Sequence, residues 1–179
     1  MKLFVWDYHG VLEKGNEHAV LEISNRVLSM FGYGERFTPQ EGALLYGRRW
    51  IEYFEHLLPG ASPDMHERLR LACYDISHTR PDIPARHIQP NDHSHEVLEE
   101  IAGARHDQIL ISNVTPRSLQ MFMGLVDINP FFPNGNAFAT DRSQDGGITE
   151  AKPEILARWL NGRTYDGIVV VGDSPGDIE

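Results

Sequence analysis

Apolar residues along this chain follow two rhythms. Consecutive apolar runs at 3–6, 109–111 and 168–171 have the pattern of strands buried on both faces, whereas Val20, Ile23, Val27, Leu28 and Phe31 recur on one helix face. The helical rhythm continues over 38–58 and 62–76. Each stretch opens on a start signal, Thr38-Pro39-Gln40-Glu41 and Ser62-Pro63-Asp64. The prolines and polar residues of 81–91 predict a return hinge without a helix. Beyond it the pattern predicts a helix over 93–101, the strand at Ile109, a helix over 116–125, a short strand over 137–139, a helix from Pro153 to Leu160, and the strand at Val169. Such alternation predicts an α/β fold with a parallel sheet, and the helical stretch falls between its first two strands.

Polar residues cluster at the ends of those strands, where open parallel sheets form their ligand crevice. Asp7 follows the first strand, three residues before Gly10, and is placed to attack phosphorus. Ser112 and Asn113 end the strand at Ile109, with a hydroxyl and an amide suited to phosphate oxygens. Lys152 precedes Pro153 at a helix start, where an ammonium adds to the positive end of the dipole. The last strand delivers Asp173 and Asp177, two hard carboxylates suited to Mg²⁺. Taken singly, each admits a plainer role: Asp7 as an Asx turn, Ser112 as a strand-end cap, Lys152 as a solvated helix-start lysine.

This ordered set resembles the haloacid dehalogenase-like (HAD) hydrolases across essentially the whole chain. The resemblance implies a Rossmann-like core, residues 1–14 and 91–179, with a small helical cap, residues 15–90, inserted after the first strand. It implies Asp7 as nucleophile and metal ligand, the main-chain carbonyl of His9 as a second ligand, Ser112 and Lys152 on the phosphate, and Asp173 on Mg²⁺ with Asp177 completing or orienting that shell. The expected function is a Mg²⁺-dependent phosphatase that uses an aspartyl-phosphate to act on a small phosphorylated metabolite. The departure is His9, since phosphatases of the family usually carry there a second aspartate that serves as acid and base. An imidazole, with a pKa of about 6.5, is either a substitute or an inert turn residue. The alternatives are therefore an active enzyme, slow where the leaving group is poor, and a catalytically impaired phospho-ligand or protein-binding module. Other branches fit less well. Residues 15–90 contain no lysine for Schiff-base phosphonate cleavage, the acidic pair is foreign to metal-free dehalogenases, and His9 argues against a mutase.

Composition narrows the partners. With 179 residues, 41% of them hydrophobic, the chain can bury a core, and a formal net charge of −10 disfavours nucleic acid and anionic membranes. The single cysteine, Cys73, reads as core filler and fits a reducing cytoplasm. The N-terminal apolar run reads as a strand rather than a signal peptide, and no run approaches a membrane span. In 46–50 a glycine precedes Arg48 and Arg49, which either reach an anionic substrate or pair with Glu52. His93 and His95 read as solvated residues at a helix start capped by Asn91 or Asp92, and 141–147 reads as a loop. Members of the family usually continue with a helix and a further strand past the acidic motif, so a sequence ending at Glu179 is either unusually short or lacks later residues, without which a sheet edge is expected to be open.

Overall fold

Residues 1–133, 135–141 and 149–173 are described by the structure, a computed structural model. The chain divides into two units, one of Met1–Lys14 with Gln89–Glu179 and one of Gly15–Ile88. The first unit begins with β1 (Lys2–Trp6) and β2 (Glu13–Lys14). The second holds α1 (Asn16–Met30), α2 (Pro39–Leu45), α3 (Trp50–Leu57), α4 (Pro63–Thr79) and α5 (Asp82–His87). The chain then returns through β3 (Gln89–Pro90), α6 (Ser94–Gly103), β4 (Asp107–Ser112), α7 (Pro116–Leu125), β5 (Ala137–Ala139), α8 (Lys152–Leu160) and β6 (Gly167–Val171).

Four strands form a parallel sheet in the order β5-β4-β1-β6, so the chain is an α/β protein with the expected Rossmann-like core. The pleat explains its layers. Leu3 and Val5 of β1 share a core with Ile109 and Ile111 of β4 and Ile155 of α8. Gln108 is buried too, and its polar ends are satisfied: Trp6 Nε1 donates to its Oε1 (3.1 Å) and its Nε2 donates to the Leu98 carbonyl of α6 (3.0 Å). Strand β6 ends the sheet among the described residues, and Ile168, Val169 and Val170 remain 37–45% exposed. The two short strands β2 and β3 pair antiparallel, Glu13 with Pro90 and Lys14 with Gln89.

In the helical unit, Ile23, Val27 and Leu28 of α1 meet Phe54, Leu69, Cys73 and Ile83 in one cluster. Burial of each large apolar side chain stabilises the fold by about 1.5–3 kcal/mol. Burial also pushes the Cys73 thiol up, and the residue is core filler.

Three expectations need correction. The helical pattern over 38–58 is broken into α2 and α3, because Gly47 takes φ 80° in the left-handed region that ends a helix. The segment 81–91 holds helix α5, with Pro84 in its first turn, where an N–H would have no intrahelical acceptor. Helix α6 is preceded by His93 at φ 62°, not capped by Asn91 or Asp92. Asn91 instead spends its amide on the Gly10 and Val11 carbonyls (3.3 and 3.0 Å). Among the described residues no helix is long and apolar enough to cross a membrane.

Candidate active site

Parallel register sets Trp6 beside Leu110 on one side and Val171 on the other. The residues that follow these three strands therefore emerge side by side at the C-terminal end of the sheet. Asp7 is the first of them, and its N–H donates to the Val171 carbonyl (2.9 Å). Its Oδ1 accepts from Lys152 Nζ at 2.8 Å, across 145 residues of sequence, with side chains only 12% and 14% exposed. Lys152 opens α8, where the Glu154 carboxylate accepts from the Ala151 N–H (2.9 Å) and holds the first turn. A shielded ammonium at a helix start concentrates positive charge on one face of the Asp7 carboxylate.

At the end of β4, Ser112 is 1% exposed and its Oγ has no hydrogen-bond partner among the described residues. Its carbonyl accepts from Thr140 N–H (3.0 Å), while Asn113 Oδ1 accepts from Thr140 Oγ1 (3.1 Å). Thr115 caps α7 by accepting from the Ser118 N–H. Asn113 thus braces the neighbouring loop, and Ser112 keeps an unused hydroxyl at the strand end. Asp173 lies two residues beyond β6, and Asp177 lies outside the described residues, as does 142–148 of the expected loop. Among the described residues no three histidine, cysteine or acidic side chains come together as a metal cluster.

The side chain of His9 has a partner that sequence reasoning missed. Its Nδ1 lies 2.8 Å from Oε1 of Glu13, which is fully buried, and the same oxygen accepts from the Gly10 N–H (3.3 Å). The only sequence signal is a histidine and a glutamate four residues apart at the end of the first core segment. The ring also meets Tyr8 and Phe122 edge to face, with centroids 5.0 and 5.2 Å away. Tyr8 is locked in turn, its hydroxyl donating to the Phe122 carbonyl (2.7 Å), and burial, then the nearby Glu13, raises its pKa far above the ordinary phenol value.

Arg48 and Arg49 sit in the helical unit and both face Glu52, at 3.9 and 3.2 Å. His93 pairs with Glu96 (2.6 Å) and His95 meets the Asp127 carbonyl (3.3 Å), so the two histidines engage different partners.

A family model for haloacid dehalogenase-like hydrolases matches residues 5–179. The chain belongs to this family. It is a HAD-like hydrolase, and solved structures repeat its fold. A HAD-superfamily hydrolase of subfamily IA from Geobacter sulfurreducens aligns with TM-score 0.69 at 20% identity, covering 99% of this chain and 80% of that one. A provisionally named phosphatase from Clostridium difficile gives 0.72 at 17% identity, covering 98% and 78%. A provisionally named β-phosphoglucomutase from Thermotoga maritima gives 0.68 at 19%, covering 99% and 79%. No curated protein matches the HAD-like chain in sequence.

Proposed function

We propose that this HAD-like hydrolase is a Mg²⁺-dependent phosphatase for a small phosphorylated metabolite, working through an aspartyl-phosphate on Asp7. The observation that carries the reading is the shielded 2.8 Å pair of Asp7 and Lys152 at the C-terminal end of the sheet. Asp7 Oδ2 is the attacking oxygen. Lys152, bound to Oδ1, orients the carboxylate and offsets charge that develops on the phosphoryl oxygens. The unpartnered Ser112 hydroxyl supplies a further donor to one of those oxygens.

The donor set fits a hard divalent cation. Asp7 and Asp173 follow paired strands β1 and β6, and with the His9 main-chain carbonyl they offer oxygen ligands of the kind Mg²⁺ prefers, Asp177 being the expected addition. When bound, Mg²⁺ supplies charge neutralisation for the phosphoryl group. The His9 ring is the group available for proton transfer: as an imidazolium it gives the Nε2 proton to the leaving oxygen, and the neutral ring so formed then takes a proton from the attacking water. The names of the Clostridium and Thermotoga structures support phosphoryl chemistry, and His9 in place of an acidic residue favours hydrolysis over mutase transfer.

The test is Mg²⁺-dependent phosphate release from an aryl phosphate and a panel of sugar and nucleotide monophosphates. Release should vanish in Asp7→Asn, and His9→Asp should gain most on substrates with poor leaving groups. Release that persists in Asp7→Asn sinks the proposal. Release from His9→Asp alone identifies the native chain as a binder.

A further inference from the structure

We infer that Glu13 is a positioning residue for His9, holding its imidazole with the proton on Nδ1 and Nε2 turned to the reacting groups. The inference rests on the phosphatase reading for its purpose and on this chain's own geometry for its content. An ionised carboxylate only accepts, so the 2.8 Å contact places the proton on His9 Nδ1. Nε2 makes no hydrogen bond among the described residues, and the His9 side chain keeps 21% of its surface exposed. The ring cannot swing away easily, since Tyr8 and Phe122 meet it edge to face. Glu13 itself is held at Oε1 by the Gly10 N–H of the turn that follows the nucleophile, so carboxylate, turn and ring are one assembly. Its Oε2 is buried without a partner among the described residues, an unfavourable arrangement for a carboxylate that an apolar residue at position 13 would avoid. An aspartate at position 9 would need no such companion, because a carboxylate has no tautomer to choose. An imidazole does, and a carboxylate on its far nitrogen is the device that makes the choice.

Glu13→Leu removes the acceptor at nearly constant volume, while Glu13→Gln keeps an oxygen for Nδ1–H. The first readout is the ¹⁵N NMR pattern of the His9 ring in the full chain, followed upward in pH until the spectrum is that of a neutral ring. The native protein and Glu13→Gln should show the Nδ1–H form, and Glu13→Leu should revert to Nε2–H. The second is turnover of an alkyl phosphate. Glu13→Leu should lower kcat by roughly 10–100-fold with little change in KM, Glu13→Gln should recover most of it, and in a His9→Asn background Glu13→Leu should add no further loss. An Nε2–H ring in the native protein, or an equal fall of kcat in both backgrounds, overturns the role of Glu13. Phosphate release that survives Asp7→Asn overturns the phosphatase reading instead and leaves the ring spectrum to decide Glu13 by itself.

Discussion

Ser112 makes a sharp distinction between stability and function. A buried hydroxyl without a partner destabilises the fold, so Ser112→Ala should leave the melting temperature unchanged or raise it, while lowering kcat/KM for phosphate esters by about 10-fold through loss of one donor. A fall in melting temperature with unchanged kcat/KM would contradict that assignment. Lys152 behaves in the opposite way. Removing its ammonium leaves the Asp7 carboxylate shielded and uncompensated, and Lys152→Met should cost about 1–3 kcal/mol in urea unfolding along with most of the turnover. The places of Asp7, Ser112 and Lys152 in the fold were legible in the sequence because each stands at a strand end or helix start that periodicity locates by itself. Glu13 was not, because its significance depends on a side chain turned inward at the end of the same loop. Alternation and spacing say nothing about which way such a residue points.

Among the elements, the helices were legible in position and less so in their ends. Capping chemistry located α2 and α4 to a residue or so, since Thr38 and Ser62 carry the acceptors that their first turns require. The break after α2 depended on Gly47, whose effect is set by a backbone angle rather than by polarity, and α5 was hidden by a proline that the first turn tolerates. Helices α1 and α5 are tied by Glu22, which accepts from His87 Nε2 (2.9 Å) and Arg86 (2.6 Å). The His87 hydrogen bond, helped by Arg86, holds the Glu22 pKa below its ordinary value. A depressed carboxylate pKa contributes stability that is fully present above the unfolded-state pKa and is lost as pH falls through the folded one. Glu22→Gln should therefore melt lower than the native chain near neutrality, by an amount typical of an exposed pair, about 0.2–1 kcal/mol, and the gap should close as pH falls through the lowered Glu22 pKa. A gap that widens on acidification would refute this. Gly15, at the entry to α1, has φ 97°, and a Cβ there would lie 2.1 Å from the His87 carbonyl oxygen. Gly15→Ala combines left-handed strain with a backbone clash and should destabilise by about 2–5 kcal/mol in urea unfolding.

At the scale of the whole molecule, α/β class and sheet membership followed from the alternation of runs, but strand order did not. Nothing in the apolar pattern states that β1 lies between β4 and β6, because position in a sheet is a long-range property. That same placement bears on the order of assembly. Leu3 pairs with Asp107 and with Ile168, so the central strand is synthesised before either partner and waits for residues far behind it. The helices of Gly15–Ile88 contact one another over shorter stretches of chain than those that separate β1 from β4 and β6, and they are synthesised during that wait. Loop closure disfavours early pairing of β1, and local helical contacts face no such delay. Pulse-labelled hydrogen exchange should accordingly protect amides of α1 and α4 before those of β1. Until Ser112 is made an apolar central strand has both edges unsatisfied, and until Val171 is made it still has one, so newly made chains are then most vulnerable to pairing with one another.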